Sequence, residues 1–281
     1  MKNYKKYIVR VIPHNVDFIT GILWDLDLAG ITEYDDFLEV FAAVNSEVTK
    51  ERIDELLSNL KKQNAIEVYN ITEEEVENRN WNEEWEKNLN IIHVTDKIVI
   101  KPSFREYNAQ EGQVVLQINP KMSFGTGEHE TTKLVLKMME KHTTTGKALD
   151  VGTGTGVLAI ASVKLGAEEA IGIDNDEWCL INGKENVKLN NLDDTVSIRL
   201  TEIGGVMESD FDLVLANINR NILLDIAGDI ELKTKKAGKL ILSGLLAQDE
   251  NLIVEKYSKN GFTLIEKAEM NEWISLVMQK A

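Results

Sequence analysis

The alternation of apolar and polar residues in the first part of the chain predicts a small α/β unit. YIVRVI and FLEVFAAV alternate at the period of half-buried strands, and AIEVYNI reads as a further strand. Between them, DFITGILWDLDLAG and SEVTKERIDELLSNLKKQN carry apolar residues at helical spacing. Gly30 is the predicted C-cap of the first helix and Ser46 the predicted N-cap of the second. We assign this small α+β domain to residues 1–72.

From Lys147 onward, strands and helices alternate in the order that a parallel, doubly wound sheet requires. Five strand-like runs are separated by helical patterns, and NILLDIAGDIELKT is predicted to form one helix before the fifth strand. The final runs, FTLIEKAEM and WISLVMQ, are joined by a short connection, whereas a parallel pair needs a crossover of about a dozen residues or more. The pattern therefore predicts an α/β fold with a mostly parallel seven-stranded sheet and an antiparallel last strand.

The stretch between these two parts has a different composition. EEEVENRNWNEEWE holds seven acidic residues and one arginine, with Trp81 and Trp85 at i and i+4. We expect a linker helix over residues 73–90 whose tryptophans dock on a neighbouring domain, with a substrate contact as the alternative. The strand-like runs KIVIKPSF and QVVLQINP then form an N-terminal extension of a second domain, residues 91–281.

Charge and composition narrow the class of partner. The 281 residues include 31 Lys and Arg against 47 Asp and Glu, a formal charge of −16 that repels phosphate backbones and attracts basic partners. We therefore expect no direct nucleic-acid partner. No signal peptide and no apolar run of about 18 residues is found, so we expect no membrane contact and a cytoplasmic protein. One cysteine and four histidines without an HExxH spacing predict no metal site.

Candidate chemistry begins at a glycine-rich turn after a predicted strand. DVGTGTG places Gly152, Gly154 and Gly156 where backbone amides can approach a ligand at a helix N-terminus. The dinucleotide fingerprint needs a further glycine where this chain has Val157, which argues against a pyrophosphate site. Asp174 ends the next strand, where a carboxylate can accept hydrogen bonds from ribose hydroxyls. The combination predicts a nucleoside-bearing cofactor; the turn alone is also consistent with an ordinary strand-to-helix connection.

These residues, with ANIN after the fourth strand and the two-strand ending, resemble class I S-adenosylmethionine-dependent methyltransferases. FGTGEHETT, LDVGTGTGVLAIASVKLGA, GIDND and ANI, in this order, narrow the resemblance to the PrmA family, which methylates ribosomal protein L11 of the large subunit. The resemblance implies a Rossmann-like class I methyltransferase domain, S-adenosyl-L-methionine as cofactor and L11 as partner. It also implies that the N-terminal domain recognises the substrate; we expect a monomer.

The resemblance also implies which residues bind the cofactor. Contacts are expected at Thr131, Gly152, Asp174 and Asn217, together with the remaining glycines of the turn. FGTGEHETT would fold over the methionine end of the cofactor, with Thr131 donating to its carboxylate. Glu130 stands where the family has a proline, which bears on the rigidity of this loop.

Three residues are candidates for the reaction itself: Asn217, Phe124 and His129. Asn217 can accept hydrogen bonds from an acceptor amine, or else cap the helix that follows. Phe124 either covers the methyl group or fills the core, and His129 either contacts the reacting groups or forms a hydrogen bond within its loop. Trp178 is predicted to lie in the core rather than against an adenine ring.

The residues after Asn217 indicate the acceptor class. They read Ile218, Asn219, Arg220 and lack the Asn-Pro-Pro-aromatic sequence typical of methyltransferases that act on planar amides or bases. This favours a lysine ε-amine or an N-terminal α-amine. The alternatives are a small-molecule or RNA methyltransferase, a binding protein without turnover and, more distantly, a nucleotide-cofactor-dependent oxidoreductase.

Overall fold

The computed structural model describes residues 4–13, 16–24, 26–34, 36–43, 46–75, 89–121 and 123–281. The chain divides into two compact units, Met1–Lys87 and Asn88–Ala281. The linker tryptophans Trp81 and Trp85 lie outside the described residues, so the linker helix and the domain limits drawn from the sequence stay predictions. Within the described ranges, none of the helices has the length and apolarity needed to cross a membrane.

The described residues of the first unit form a four-stranded antiparallel sheet and two helices. Its strands follow the order β2-β3-β1-β4. Tyr7, Val9 and Val11 on alternate positions of β1 are buried against helix residues such as Ile19 and Ile53. The elements are β1 (Tyr4–Ile12), α1 (Val16–Leu23), β2 (Gly30–Glu33), β3 (Leu38–Ala43), α2 (Lys50–Lys62) and β4 (Val68–Glu75).

Two caps predicted in this unit are wrong. Gly30 is the first residue of β2, because the Ala29 amide already donates to the Phe41 carbonyl and the chain has joined the sheet. Thr49, not Ser46, caps α2: the Thr49 hydroxyl accepts from the Arg52 amide at 3.3 Å. The Ser46 hydroxyl instead accepts from the Val48 amide in the preceding turn. Ser46 therefore stabilises the turn that precedes α2 and does not cap the helix itself.

The second unit begins with a three-stranded sheet of β5 (Ile92–His93), β6 (Ile98–Lys101) and β7 (Val114–Gln117), followed by α3 (Glu130–Lys141). Alternating strands and helices follow, as the sequence predicted. They are β8 (Lys147–Val151), α4 (Val157–Lys164), β9 (Glu169–Asp174), α5 (Glu177–Leu189), β10 (Val196–Leu200), β11 (Phe211–Asn217), α6 (Arg220–Asp225), α7 (Ala227–Lys233), β12 (Thr234–Leu246), α8 (Glu250–Lys259), β13 (Phe262–Met270) and β14 (Trp273–Lys280).

The main sheet confirms the predicted fold class. Its seven strands follow the order β10-β9-β8-β11-β12-β14-β13. All neighbours from β10 to β12 pair in parallel, and β14 is antiparallel to both β12 and β13. The strand order reverses between β8 and β11, and the crevice outside the carboxyl ends at such a point is where ligands bind in open α/β sheets.

Two further predictions about helices are wrong. NILLDIAGDIELKT forms two helices, because the backbone at Ile226 departs from helical geometry with ψ of 8°. Leu223 of the first of these helices and Ile230 of the second both lie in the hydrophobic core. Trp178 is 66% exposed rather than buried. It lies in the first turn of α5, whose buried face is formed by Cys179, Asn182 and the residues in line with them.

Candidate active site

A cavity of about 910 Å³ lies at the carboxyl ends of β8, β9 and β11. The predicted site residues that line it are Phe124, His129, Thr131, Gly152, Gly154, Asp174 and Asn217. Gly156 does not line it; this glycine begins α4 with φ of 81° and lies close to Gly183 of α5. A cofactor contact at Gly156 stays a prediction.

Two positions of the glycine turn after β8, Gly152 and Gly154, have no room for a side chain. Gly152 and Gly154 have φ of 72° and 53°, values that side-chain-bearing residues rarely adopt. A Cβ at Gly152 would lie 2.3 Å from the Ile218 Cγ2 atom, and one at Gly154 would lie 2.3 Å from the Phe124 carbonyl oxygen. Glycine is therefore required here both by the backbone conformation and by the neighbouring chain.

The two glycine-rich segments pack backbone to backbone. The Thr155 amide donates to the Phe124 carbonyl at 2.9 Å, and the Thr155 hydroxyl donates to the Gly125 carbonyl at 2.8 Å. Gly125 itself has φ of 101° and contacts Thr155 closely. The segment FGTGEHETT and the turn DVGTGTG thus form adjoining walls of one cavity.

Asp174 ends β9 and joins the turn to the next strand. One oxygen of its carboxylate accepts from the Gly154 amide at 2.9 Å, and the other accepts from the Asp176 amide at 3.1 Å. These hydrogen bonds fix the carboxylate at the cavity wall while each oxygen keeps a lone pair. A ligand with vicinal hydroxyls could donate to both oxygens.

His129 forms a hydrogen bond within its own loop, which is one of the two roles that the sequence allowed for it. Its Nδ1 atom accepts from the Thr131 amide at 3.2 Å, which caps α3, and lies 2.8 Å from the Thr131 hydroxyl oxygen. Thr131 is buried and lines the cavity. Glu130 is the first residue of the helix, a position that suits proline equally well. The departure from the family pattern therefore falls where the backbone tolerates both residues.

Three aromatic rings meet at the cavity. The His129 ring lies 5.5 Å from Phe124 and 5.0 Å from Trp273 between centroids, edge-on to both. Phe124 is 56% exposed, so the alternative that it fills the core is wrong. Trp273 was not predicted as a site residue. It begins β14, and because this strand runs antiparallel, its first residue lies at the edge where the parallel strands end.

Asn217 is the last residue of β11 and is 9% exposed. Its amide nitrogen donates to the Thr132 hydroxyl at 3.4 Å, and its side-chain oxygen has no partner among the described residues. The alternative that Asn217 caps the next helix is wrong, because Asn219 fills that position and accepts from the Ile222 amide at 3.1 Å. The Asn217 oxygen is thus a buried acceptor that borders an open cavity.

The side chains that line the cavity give it a negative charge. Its carboxylates are Asp174, Asp176, Glu202, Asp225 and Asp229, and no lysine or arginine is among the described lining residues. Such a cavity favours a cationic ligand. No group of three or more His, Cys, Asp or Glu in the described ranges could hold a metal ion. The predicted lack of a metal is not tested by this observation.

Asp150 is a fully buried carboxyl group on β8, directly before the glycine turn. One of its oxygens accepts from the Thr153 hydroxyl at 2.6 Å and from the Ala159 amide at 3.1 Å, and the other has no partner in the described part of the chain. Burial raises the pKa of Asp150 to about 7, although these two hydrogen bonds act to lower it. Below about pH 7 the folded protein therefore favours the protonated form of Asp150.

This raised pKa predicts a pH-dependent stability. The folded-state pKa of Asp150 lies above the unfolded value near ~3.9, so its stabilising contribution is full below that value and is lost as pH rises toward about 7. From pH 5 to 8, Asp150→Asn should gain on the order of 2 kcal/mol in free energy of unfolding relative to the unsubstituted chain. Urea unfolding across this range measures the difference.

Asp212→Asn is the matched control. The hydrogen bond from Lys235 lowers the pKa of Asp212, so this carboxylate stays ionised from pH 5 to 8. The difference in free energy of unfolding between Asp212→Asn and the unsubstituted chain should therefore be constant over this range. A constant difference for Asp150→Asn as well would contradict the prediction.

Comparison with known proteins agrees with this geometry. The chain matches the family model of the ribosomal protein L11 methyltransferase (PrmA) over residues 24–281. It is 36% identical over 231 residues to the ribosomal protein L11 methyltransferase of Desulforapulum autotrophicum, covering 80% of this chain and 76% of that protein. The protein of the same name from Alkaliphilus oremlandii is 29% identical over 301 aligned positions, 96% of each chain.

A solved structure shares the fold at similar identity. The crystal structure of the ribosomal protein L11 methylase from Lactobacillus delbrueckii subsp. bulgaricus superposes with a TM-score of 0.64 and 29% identity, covering 68% of this chain and 99% of that chain. The family model spans far more than half of the present sequence. The chain therefore belongs to the ribosomal protein L11 methyltransferase family, PrmA.

Proposed function

We propose that this protein transfers methyl groups from S-adenosyl-L-methionine to lysine ε-amines, the N-terminal α-amine, or both, of ribosomal protein L11. Membership of the PrmA family supports the cofactor and the protein substrate. The observation that carries the proposal is the Asn217 side-chain oxygen, a buried acceptor without a partner among the described residues at the wall of the cavity. A buried acceptor of this kind is expected to find its partner in a ligand.

The lining residues suit the cofactor. The Asp174 carboxylate would accept from the ribose hydroxyls, and the glycine turn leaves the backbone of Gly152 and Gly154 free of Cβ atoms where the ligand must approach. Thr131 would donate to the methionine carboxylate beside the N-terminus of α3. When bound, S-adenosylmethionine supplies an electrophilic methyl group on a cationic sulfonium, and the negatively charged lining favours that cation.

The acceptor must reach the site as a neutral amine. A lysine amine has a reference pKa near ~10.4, and removal from water lowers that pKa because desolvation disfavours the charged form. Asn217 would accept one N–H of the neutral amine and so orient the nitrogen lone pair toward the methyl group. In this role the residue aligns the nucleophile and need not act as a base.

Aromatic and aliphatic side chains would keep the reacting atoms from water. Phe124, His129 and Trp273 lie together on one side of the cavity, and the residue that follows Asn217 is the aliphatic Ile218. Arg220 pairs with Asp249 at 2.9 Å and brings no positive charge into the cavity. An apolar lining of this kind would remove the acceptor amine from water.

The same proposal covers how the enzyme meets its substrate, its oligomeric state and its location. An acidic enzyme is attracted to a basic ribosomal protein, which raises the rate of encounter. We further propose a cytoplasmic monomer that does not bind nucleic acid directly and whose residues 1–72 recognise the substrate. Charge and family membership are the support for this part of the proposal.

The first prediction concerns the acceptor. Radiolabelled methyl from S-adenosylmethionine should be transferred to purified L11 and not to bulk RNA. Asp174→Ala should lower the transfer by roughly a hundredfold or more at a fixed low cofactor concentration, because two charge-assisted hydrogen bonds to the ribose are lost. Label on RNA, or none on L11 with cofactor binding intact, would contradict the proposed acceptor.

The second prediction concerns Asn217. Asn217→Ala should lower kcat for L11 roughly 10- to 100-fold, because the amine loses the acceptor that orients it. Asn260→Ala is the control, since its amide donates only to the Lys256 carbonyl at the end of α8. Steady-state kinetics on both variants would refute the role if their kcat values were equal.

The third prediction concerns the contact between the glycine-rich segments. Gly154→Ala should raise the Kd for S-adenosylmethionine about tenfold or more, because its Cβ would displace the Phe124 carbonyl. Gly261→Ala is matched: Gly261 also has positive φ, but a Cβ there meets nothing within 4 Å. Titration calorimetry should find cofactor affinity unchanged in Gly261→Ala, and equal losses in both variants would argue against the prediction.

A further inference from the structure

Three asparagines form a buried stripe along α5 and its C-cap. Asn182, Asn186 and Asn190 are spaced four residues apart, so their side chains share one face of the helix. All three are buried, which is unusual for asparagine. Asn186 and Asn190 use both the nitrogen and the oxygen of their side-chain amides, whereas the Asn182 oxygen has no partner among the described residues. The stripe faces residues 117–119, the chain that leaves β7.

The stripe binds this chain as a neighbouring strand would. The Asn190 side chain accepts from the Gln117 amide at 3.0 Å and donates to the Gln117 carbonyl at 2.8 Å. Asn186 accepts from the Asn119 amide at 2.9 Å and donates to the Asn119 carbonyl at 3.3 Å. The match is geometric, because four helical residues advance about 6 Å and two strand residues about 6.6 Å.

Asn186 differs from Asn182 and Asn190 because it also forms a hydrogen bond to the glycine turn. Its amide nitrogen also donates to the Thr155 carbonyl at 2.9 Å, within the glycine turn. Thr155 in turn holds the Phe124 and Gly125 carbonyls through its amide and hydroxyl. Asn119 lies directly before the segment that carries Phe124. One buried side chain therefore joins Asn119, which precedes the first glycine-rich segment, to Thr155 in the second.

We propose that Asn186 is a positioning residue for the cofactor site. It acts by setting the distance between residues 119–131 and the turn at 152–156, so that groups from both segments contact one cofactor molecule. Loss of the side chain leaves the part-buried Asn119 amide and the buried Thr155 carbonyl without this partner, and the two walls of the cavity separate. The inference rests on the proposed function, because the ligand that senses the separation is S-adenosylmethionine.

Asn190→Ala is the matched comparison for Asn186→Ala. Both substitutions remove a buried asparagine amide that pairs with the same extended chain, and both should lower the melting temperature. Only Asn186 contacts the glycine turn. Asn186→Ala should therefore raise the Kd for S-adenosylmethionine about tenfold, and Asn190→Ala should leave it within about twofold of the unsubstituted protein.

The experiment uses the full chain, with calorimetric titration of S-adenosylmethionine well below each melting temperature. Kinetics with L11 should find KM for the cofactor raised about tenfold in Asn186→Ala, with kcat at saturation changed less than about threefold. Equal affinities in the two variants would overturn the inference, as would a loss confined to kcat. If Asn186→Ala does not fold, Asn186→Asp decides, because it keeps the acceptor for the Asn119 amide and removes the donor to the Thr155 carbonyl; unchanged affinity there would overturn the inference.

Binding of S-adenosylmethionine to the unsubstituted protein shows whether the proposed function or only this inference is wrong. If it does not bind S-adenosylmethionine, the proposed function fails before any variant is compared. If it binds the cofactor and Asn186→Ala binds equally well, only the role of Asn186 is wrong.

Discussion

The cavity depends on the direct contact between two glycine-rich segments that are separate in the chain. The Thr155 amide reaches the Phe124 carbonyl, and the space between Gly154 and that carbonyl admits no Cβ. Because the segments touch through their backbones, any side chain at Gly154 acts on both walls at once. The groups proposed for the two ends of the cofactor, Thr131 and Asp174, keep their relative positions only while this contact holds.

The sheet topology explains why the functional groups meet where they do. Parallel strands bring the residues that follow β8, β9 and β11 to one edge, and the reversal of strand order opens a crevice there. The antiparallel β14 contributes from the opposite direction, with its first residue, Trp273, at the same edge. A long segment of chain separates Trp273 from His129 in sequence, yet their rings lie 5.0 Å apart.

Buried asparagines serve two different purposes in this fold, and their hydrogen bonds distinguish the two. Asn186 and Asn190 use both their amide nitrogen and their oxygen on protein backbone, so they contribute to architecture. Asn217 uses its nitrogen on Thr132 and leaves its oxygen without a partner among the described residues, at the cavity wall. The cost of leaving a buried acceptor unpaired is what makes a ligand the expected partner.

The sequence by itself determined the order of elements, the antiparallel ending and several residues of the cavity wall, because strand periodicity, glycine spacing and strand-end polar residues are local signals. Gly152, Gly154, Asp174 and Asn217 follow from those signals and from the family motifs. Caps were less predictable. Thr49 caps α2 in place of the predicted Ser46, and Asn219 caps α6 in place of Asn217, for which capping was the alternative, because several polar side chains near a helix start can serve as its cap.

Only the tertiary structure decided which distant residues contact one another. Trp273 entered the site through strand pairing, Trp178 was left exposed by the orientation of α5, and the asparagine stripe met residues 117–119 through a match of helical and strand spacing. No local pattern specifies such contacts, because they depend on how far apart separate elements pack. The chemistry of the site is thus readable in the chain, while its geometry is a property of the folded molecule.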